Sequence, residues 1–374
     1  MKKLIAFLIT VLIIPTLGVS AQINFEELPG NSLAQEVIEE IPDGTKELMQ
    51  EFGIYEISPQ SLLSLSFSDF LSFIFQSIKL NALSPIKHVT LIIAITVMCA
   101  LLENFKSSFS SESINSVFGA VATLSVVLIM GDGVIDCIKE SCKTIQEYNS
   151  FMISFIPVYA GSITVAGAPV TSGVYGTFMF FACQIIATLI TNTIMPLLGI
   201  YLGFSVVSGI NPKLNLGSIT DGIKKFSTWL LTLLMTVFTG IMSIQSVIAS
   251  GSDGVAVKAG RYLLSSFVPV VGSALSDVYL SVQGSIKLLK NCIGGYCIVA
   301  VSVTFVPILL KLLVWKLSVF VSQIFSEILN IKSITTLTKA VGSTFSLIIA
   351  IVLVFLLLII ISTTLMMLLG QGRI

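Results

Sequence analysis

Few residues of this 374-residue chain could do chemistry, and most of those stand in apolar surroundings. Asp277 interrupts the phrase "SSFVPVVGSALSDVY" (265–279), Lys311 and Lys316 flank Trp315, and Glu327 follows. An ionised group in lipid is costly, so such residues face a bundle interior or water, where they pair, gate or move ions. On a continuous helix Lys311, Ser318, Ser322, Ser326 and Asn330 make one polar stripe, fit for either a pore wall or an interhelical contact. Lys316 is placed to snorkel.

Catalysis has little to work with. His88 is the single imidazole, and neither a G-x-x-x-x-G-K-[ST] nucleotide loop, a G-x-S-x-G elbow nor an H-E-x-x-H pair occurs. The chain reads as a non-enzyme needing no cofactor, with carboxylates as the one catalytic route left open. Cys137/Cys142 and Cys292/Cys297 share a C-x4-C spacing. Five helical residues turn about 500°, which separates the two thiols and argues against a shared metal. A Cys137–Cys142 disulfide requires their segment to be an extracytoplasmic, non-helical loop.

Prolines carry the other signal. "SFIPVYAGS" (154–162) is answered by "SSFVPVVGS" (265–273), each preceded by a D-G-V phrase (Asp132 and Asp253) and followed by a second proline. Pro157 to Pro196 is 39 positions and Pro269 to Pro307 is 38. The order points to two duplicated membrane units, about 114–210 and 227–331. Four spans per unit would make them parallel, and one re-entrant span per unit would invert them. A proline removes a backbone hydrogen bond, so Pro157, Pro196, Pro269 and Pro307, with Asp277 and Lys311, are the candidate pore or gating residues. Alternatively the kinks are ordinary features of a membrane bundle. Gly199-x-x-x-Gly203 has the spacing of close helix packing.

These residues must be positioned by a membrane protein. The chain is 55% hydrophobic and only 11% charged, with a mean hydropathy of +0.99, whereas soluble domains carry about 25% charged residues. The expected fold is an all-α polytopic helix bundle with two duplicated units and broken or re-entrant helices. The opening "MKKLIAFLITVLIIPTLGVSAQ" reads as a signal peptide over 1–21 with cleavage between Ala21 and Gln22, or as an uncleaved anchor. Residues 22–57 form an acidic helical segment, holding nine carboxylates from Glu26 to Glu56 against Lys46 alone. This segment, placed outside the cytoplasm, could dock a partner or simply cap the membrane domain. Residues 58–82 read as an amphipathic interfacial helix and 83–374 as the membrane domain, with a final span over 341–369. Ten apolar windows fit the membrane domain, the shortest at 196–210 and 315–331. With the mature N-terminus outside, loops carrying Lys213, Lys224, Lys225, Lys287, Lys290, Lys332 and Lys339 fall inside. No basic arm offers an electrostatic footprint for nucleic acid.

The phrases "SFIPVYAGS", "LGIYLGFSVVSGIN" (198–211) and "GRYLLSSFVPVVGSALSD" (260–277), with the signal, acidic stretch and long terminal helix, resemble the stage III sporulation protein AE family. The likeness covers residue 80 to the end. It implies a multi-pass membrane protein of endospore formation, in the mother-cell membrane around the forespore. It also implies partnership with other stage III membrane-complex proteins, including a separate cytoplasmic secretion-type ATPase. The family has no catalytic motif to transfer. The chain is therefore expected to be a channel or export-platform subunit, with a non-conducting scaffold and an ion-coupled transporter as the alternatives.

Overall fold

The computed structural model describes residues 31–63, 67–105, 112–210, 214, 216–267 and 272–369. The signal segment with Ala21 and Gln22, and Pro269, lie outside them; Asp277 is described by its helical backbone alone. Among the described residues all regular structure is helical: α1 (Asn31–Glu40), α2 (Asp43–Glu51), α3 (Pro59–Leu63), α4 (Phe67–Phe105), α5 (Glu112–Val165), α6 (Pro169–Leu189), a π-turn (Ile190–Ile194), α7 (Met195–Ile210), α8 (Gly217–Phe267), α9 (Gly272–Ile328) and α10 (Lys332–Leu369). Among the described residues six helical rods are long and apolar enough to cross a membrane: Ser68–Leu101, Ala120–Val165, Pro169–Ile210, Gly217–Val255, Gln283–Ile328 and Lys332–Leu368. The all-α polytopic bundle is what the sequence led one to expect.

The ten windows are a different matter. Windows 114–131 and 150–168 share α5, 173–194 and 196–210 share the rod through the π-turn, and 291–312 and 315–331 share α9. Polar stretches such as Gly131–Glu147 lower the local hydropathy without breaking a helix, because their charges point outward and leave the i→i−4 ladder intact. For the same reason Lys287 and Lys290 lie on helix rather than in a loop. Pro157 and Pro307 lie within continuous helices, and Pro196 follows the π-turn, whose wider winding accommodates it. The amphipathic segment continues from Phe67 through Pro85 into the first rod instead of standing alone.

Helix ends follow local chemistry. Val165 is followed by Gly167 at φ 90°, with Gly167 N–H donating to Thr164 O and Ala168 N–H to Ile163 O. That is a Schellman stop, which favours glycine at the left-handed position. Asn330, at φ 56°, ends α9 in the same way. Pro169 then opens α6 at its first turn, where no intrahelical donor is needed.

The core is dense and aromatic. Phe155, Phe305, Phe345, Ile348 and Phe355 are fully buried, and Trp315 stacks on Phe345 with centroids 5.9 Å apart. Gly133 is required there, since a Cβ on it would fall 2.2 Å from the Trp315 ring. The apolar windows of α4 and α8 are only 17% and 18% buried, against 61% for α10. So α10 is the central rod and α4 and α8 are peripheral.

Candidate functional site

Two helices build the first polar region. Asp132, Asp136, Lys139, Lys143 and Glu147 recur at steps of three and four on α5, and all five are exposed. Glu140 turns toward α9 and accepts an ion pair from Lys311, while Lys143 pairs with Glu147 at 3.6 Å. The height of this stripe can be read from ring contacts. Gly133 touches Trp315, which stacks on Phe345; Tyr148 packs on Phe305, which stacks on Phe355. The charged stripe therefore lies level with Phe345–Phe355, in the uncharged run of the most apolar helix.

The acidic segment docks at the same height. Ala34, Val37, Ile41 and Met49 are buried, and Thr45 Oγ1 meets Thr304 Oγ1 at 2.8 Å. Tyr148 donates its hydroxyl to the Ala300 carbonyl at 2.8 Å, below Thr45. Glu36, Glu39, Glu40, Asp43, Glu47, Glu51 and Glu56 stay exposed. Between this arm and α5 opens a cleft of about 730 Å³ lined by Glu40, Asp43, Lys143, Glu147 and Ser154 among others.

The second region lies at the end of the bundle marked by Gly167. Asp253 of α8 is buried, and its two oxygens accept the Val170 and Thr171 backbone N–H groups at 2.9 and 2.8 Å. A carboxylate at the start of α6 satisfies orphan donors and complements the positive end of the helix dipole. Gln283 donates to the Ala166 carbonyl at 3.4 Å. One turn and three residues on, Lys290 is completely buried and donates to the Met366 and Met367 carbonyls at 3.1 and 3.3 Å. Those carbonyls belong to α10, close to the last of the described residues.

The residues singled out from the sequence are dispersed. Pro157, Pro196, Gly199 and Gly203 are exposed and Pro307 is half-buried. A Cβ added to Gly199 or Gly203 would meet nothing within 4 Å, so among the described residues they make no close packing. Lys311 finds Glu140, whereas Ser322 and Ser326 are buried and Thr335 donates to Ser326 at 3.1 Å, which makes the serine stripe an interhelical contact. Cys137 and Cys142 are free thiols on continuous α5, so the non-helical loop required for their disulfide is absent. Among the described residues no set of three His, Cys, Asp or Glu side chains could hold a metal.

Sequence reading passed over Lys290, Asp253 and Glu140. Lys290 stood beside Lys287 in what looked like a loop. Asp253 was visible as a repeat marker, and its place two positions before Val255 in a D-G-V phrase gave no hint of a cap 83 residues away.

The profile of stage III sporulation protein AE (spore_III_AE) matches residues 53–370. The chain belongs to that family. It is 23% identical over 256 residues to Stage III sporulation protein AE of Bacillus subtilis (strain 168), covering 68% of this chain and 62% of the relative. The match thus spans less than two thirds of that relative. No solved structure matches the chain. Family membership and the six apolar rods together make it a multi-pass membrane protein of sporulation.

Proposed function

We propose that the chain is a channel or export-platform subunit of a mother-cell membrane complex that links mother cell and forespore, with no catalysis of its own. The observation that carries this reading is the Glu140–Lys311 pair, part-exposed at the height of Phe345–Phe355. Charged groups at that depth persist where they meet water or a partner rather than lipid. Energy would come from a separate cytoplasmic secretion-type ATPase, since this chain has no nucleotide loop. Pro157, Pro196, Pro269 and Pro307, at matched places in two duplicated units, are the proposed gating points. The test is passage of a small tracer between mother cell and forespore in sporulating cells depleted of the chain and then resupplied. Passage lost and restored supports a conduit; passage unchanged by depletion ends that reading.

A second reading, a scaffold, is favoured by the acidic arm with its seven exposed carboxylates. It predicts that arm deletion disperses the other complex components while tracer passage never depended on the chain. An ion-coupled transporter rests on Asp277 alone, and a fully active Asp277→Asn variant would remove it.

A further inference from the structure

Two helices pass from charged to apolar at the same height. On α8 the last charges are Lys224 and Lys225, after which none occurs until Asp253. On α10 the last is Lys339, after which none occurs through Leu369. One hydrogen bond ties the two levels together, from Lys224 Nζ to Ser343 Oγ at 3.3 Å, and Ser343 stands one turn beyond Lys339. In a multi-pass membrane protein such a shared boundary marks the level where hydrocarbon gives way to headgroups. Phe226 and Trp229 are exposed there with their ring centroids 6.2 Å apart, which is the placement of interfacial aromatic anchors.

The lysines at this level are not equally engaged. Lys339 pairs with Glu327 at 2.8 Å. Lys224 and Lys225 are exposed and make no ion pair among the described residues. Asp221 stands three and four positions before them, where a helix would allow a pair, and forms none. The bond to Ser343 uses one of the three protons on Lys224. Deeper along α8, Trp229, Leu233, Val237, Ile241 and Ile248 are exposed, an uncharged surface fit for acyl chains.

We propose that Lys224 and Lys225, beside α10 at Ser343, hold the phosphate of an anionic phospholipid whose acyl chains lie along the apolar face of α8. Charge and depth together select this occupant. Two ammonium groups at headgroup level attract a net negative headgroup, whereas a zwitterionic one brings a cation of its own. A water-soluble anion would satisfy the lysines and leave the apolar face beneath them unused. The site stands apart from the conduit reading and holds whether or not the chain conducts.

Trp229, one turn beyond Lys225, reports on the site, because brominated acyl chains quench a tryptophan on contact; Trp315, the other tryptophan, is buried. The full chain is placed in phosphatidylcholine vesicles containing a minor fraction of brominated phosphatidylglycerol. That lipid should quench Trp229 at least about threefold more than the same fraction of brominated phosphatidylcholine. Lys224→Gln with Lys225→Gln should make the two lipids equal, and Lys224→Arg with Lys225→Arg should keep the preference. Lys79→Gln with Lys87→Gln, which removes two exposed charges from α4, should leave it intact. Equal quenching in the parent chain, or a preference that survives the Gln pair on α8, overturns the site. A preference lost as fully with the α4 pair reduces it to overall surface charge and overturns it too. Abolition by millimolar inorganic phosphate makes a free anion the ligand and overturns the lipid.

Discussion

Lys290 and Lys311 stand on the same helix, and the protein treats them in opposite ways. Lys311 is 26% exposed and meets a carboxylate, Glu140, from a neighbouring rod. Lys290 is 0% exposed and, among the described residues, meets two backbone carbonyls of α10. The exposed pair keeps much of its hydration and gains modestly from pairing. The buried ammonium has given up its water, and what offsets that is its pair of hydrogen bonds to α10 carbonyls. Asp253 is the converse of Lys290, a buried anion held by two backbone N–H groups at the start of α6 instead of a buried cation held by carbonyls. The lesson is that the two buried charges, Lys290 and Asp253, are held by backbone groups, and part-exposed Lys311 by another charge.

The sharpest way to break the comparison is at Lys290. Lys290→Ala should cost about 3 kcal/mol, from a cavity and the loss of two buried hydrogen bonds. Lys290→Met refills the volume and should lose only about 1–2 kcal/mol. Denaturant unfolding of the detergent-solubilised chain reads both. A Met variant more stable than the parent would mean that desolvation outweighs the two hydrogen bonds. Asp253→Ala comes next, with an expected loss of about 1–2 kcal/mol and earlier amide exchange in the first turn of α6.

Lys311 should matter less to stability. A double-mutant cycle of Glu140→Gln and Lys311→Met should return a coupling of about 1 kcal/mol or below, shrinking as salt is added. Coupling as large as the Lys290 effect would erase the contrast. The smallest effect is expected from Gly199→Ala with Gly203→Ala, where an added Cβ meets open space. Unfolding should be unchanged or slightly delayed, since alanine favours helix by roughly 1 kcal/mol per glycine replaced. A marked loss would reveal packing on that face from outside the chain.

Particular residues show how much was legible. The acidic stretch expected to be helical contains α1 and α2, with Val37 and Ile41 buried. The end of α9 near Asn330 and the final apolar rod fell where composition put them. Lys311 was marked out by being a charge in an apolar run. The span count failed because hydropathy measures preference for lipid, whereas helix continuity depends on the backbone ladder, which outward charges and single prolines leave standing.

By itself the sequence determined the class of the molecule: too apolar for water, and helical. Such properties are sums or short-range periods along the chain, and neighbours in sequence suffice to read them. Only the tertiary structure decided which charges are paired, capped or left facing outward. Glu140 and Lys311 are 171 residues apart, Asp253 and Val170 are 83, and Lys290 and Met366 are 76. The state of a charge in a membrane protein is set by the groups that replace its lost water, and folding alone brings those groups within reach.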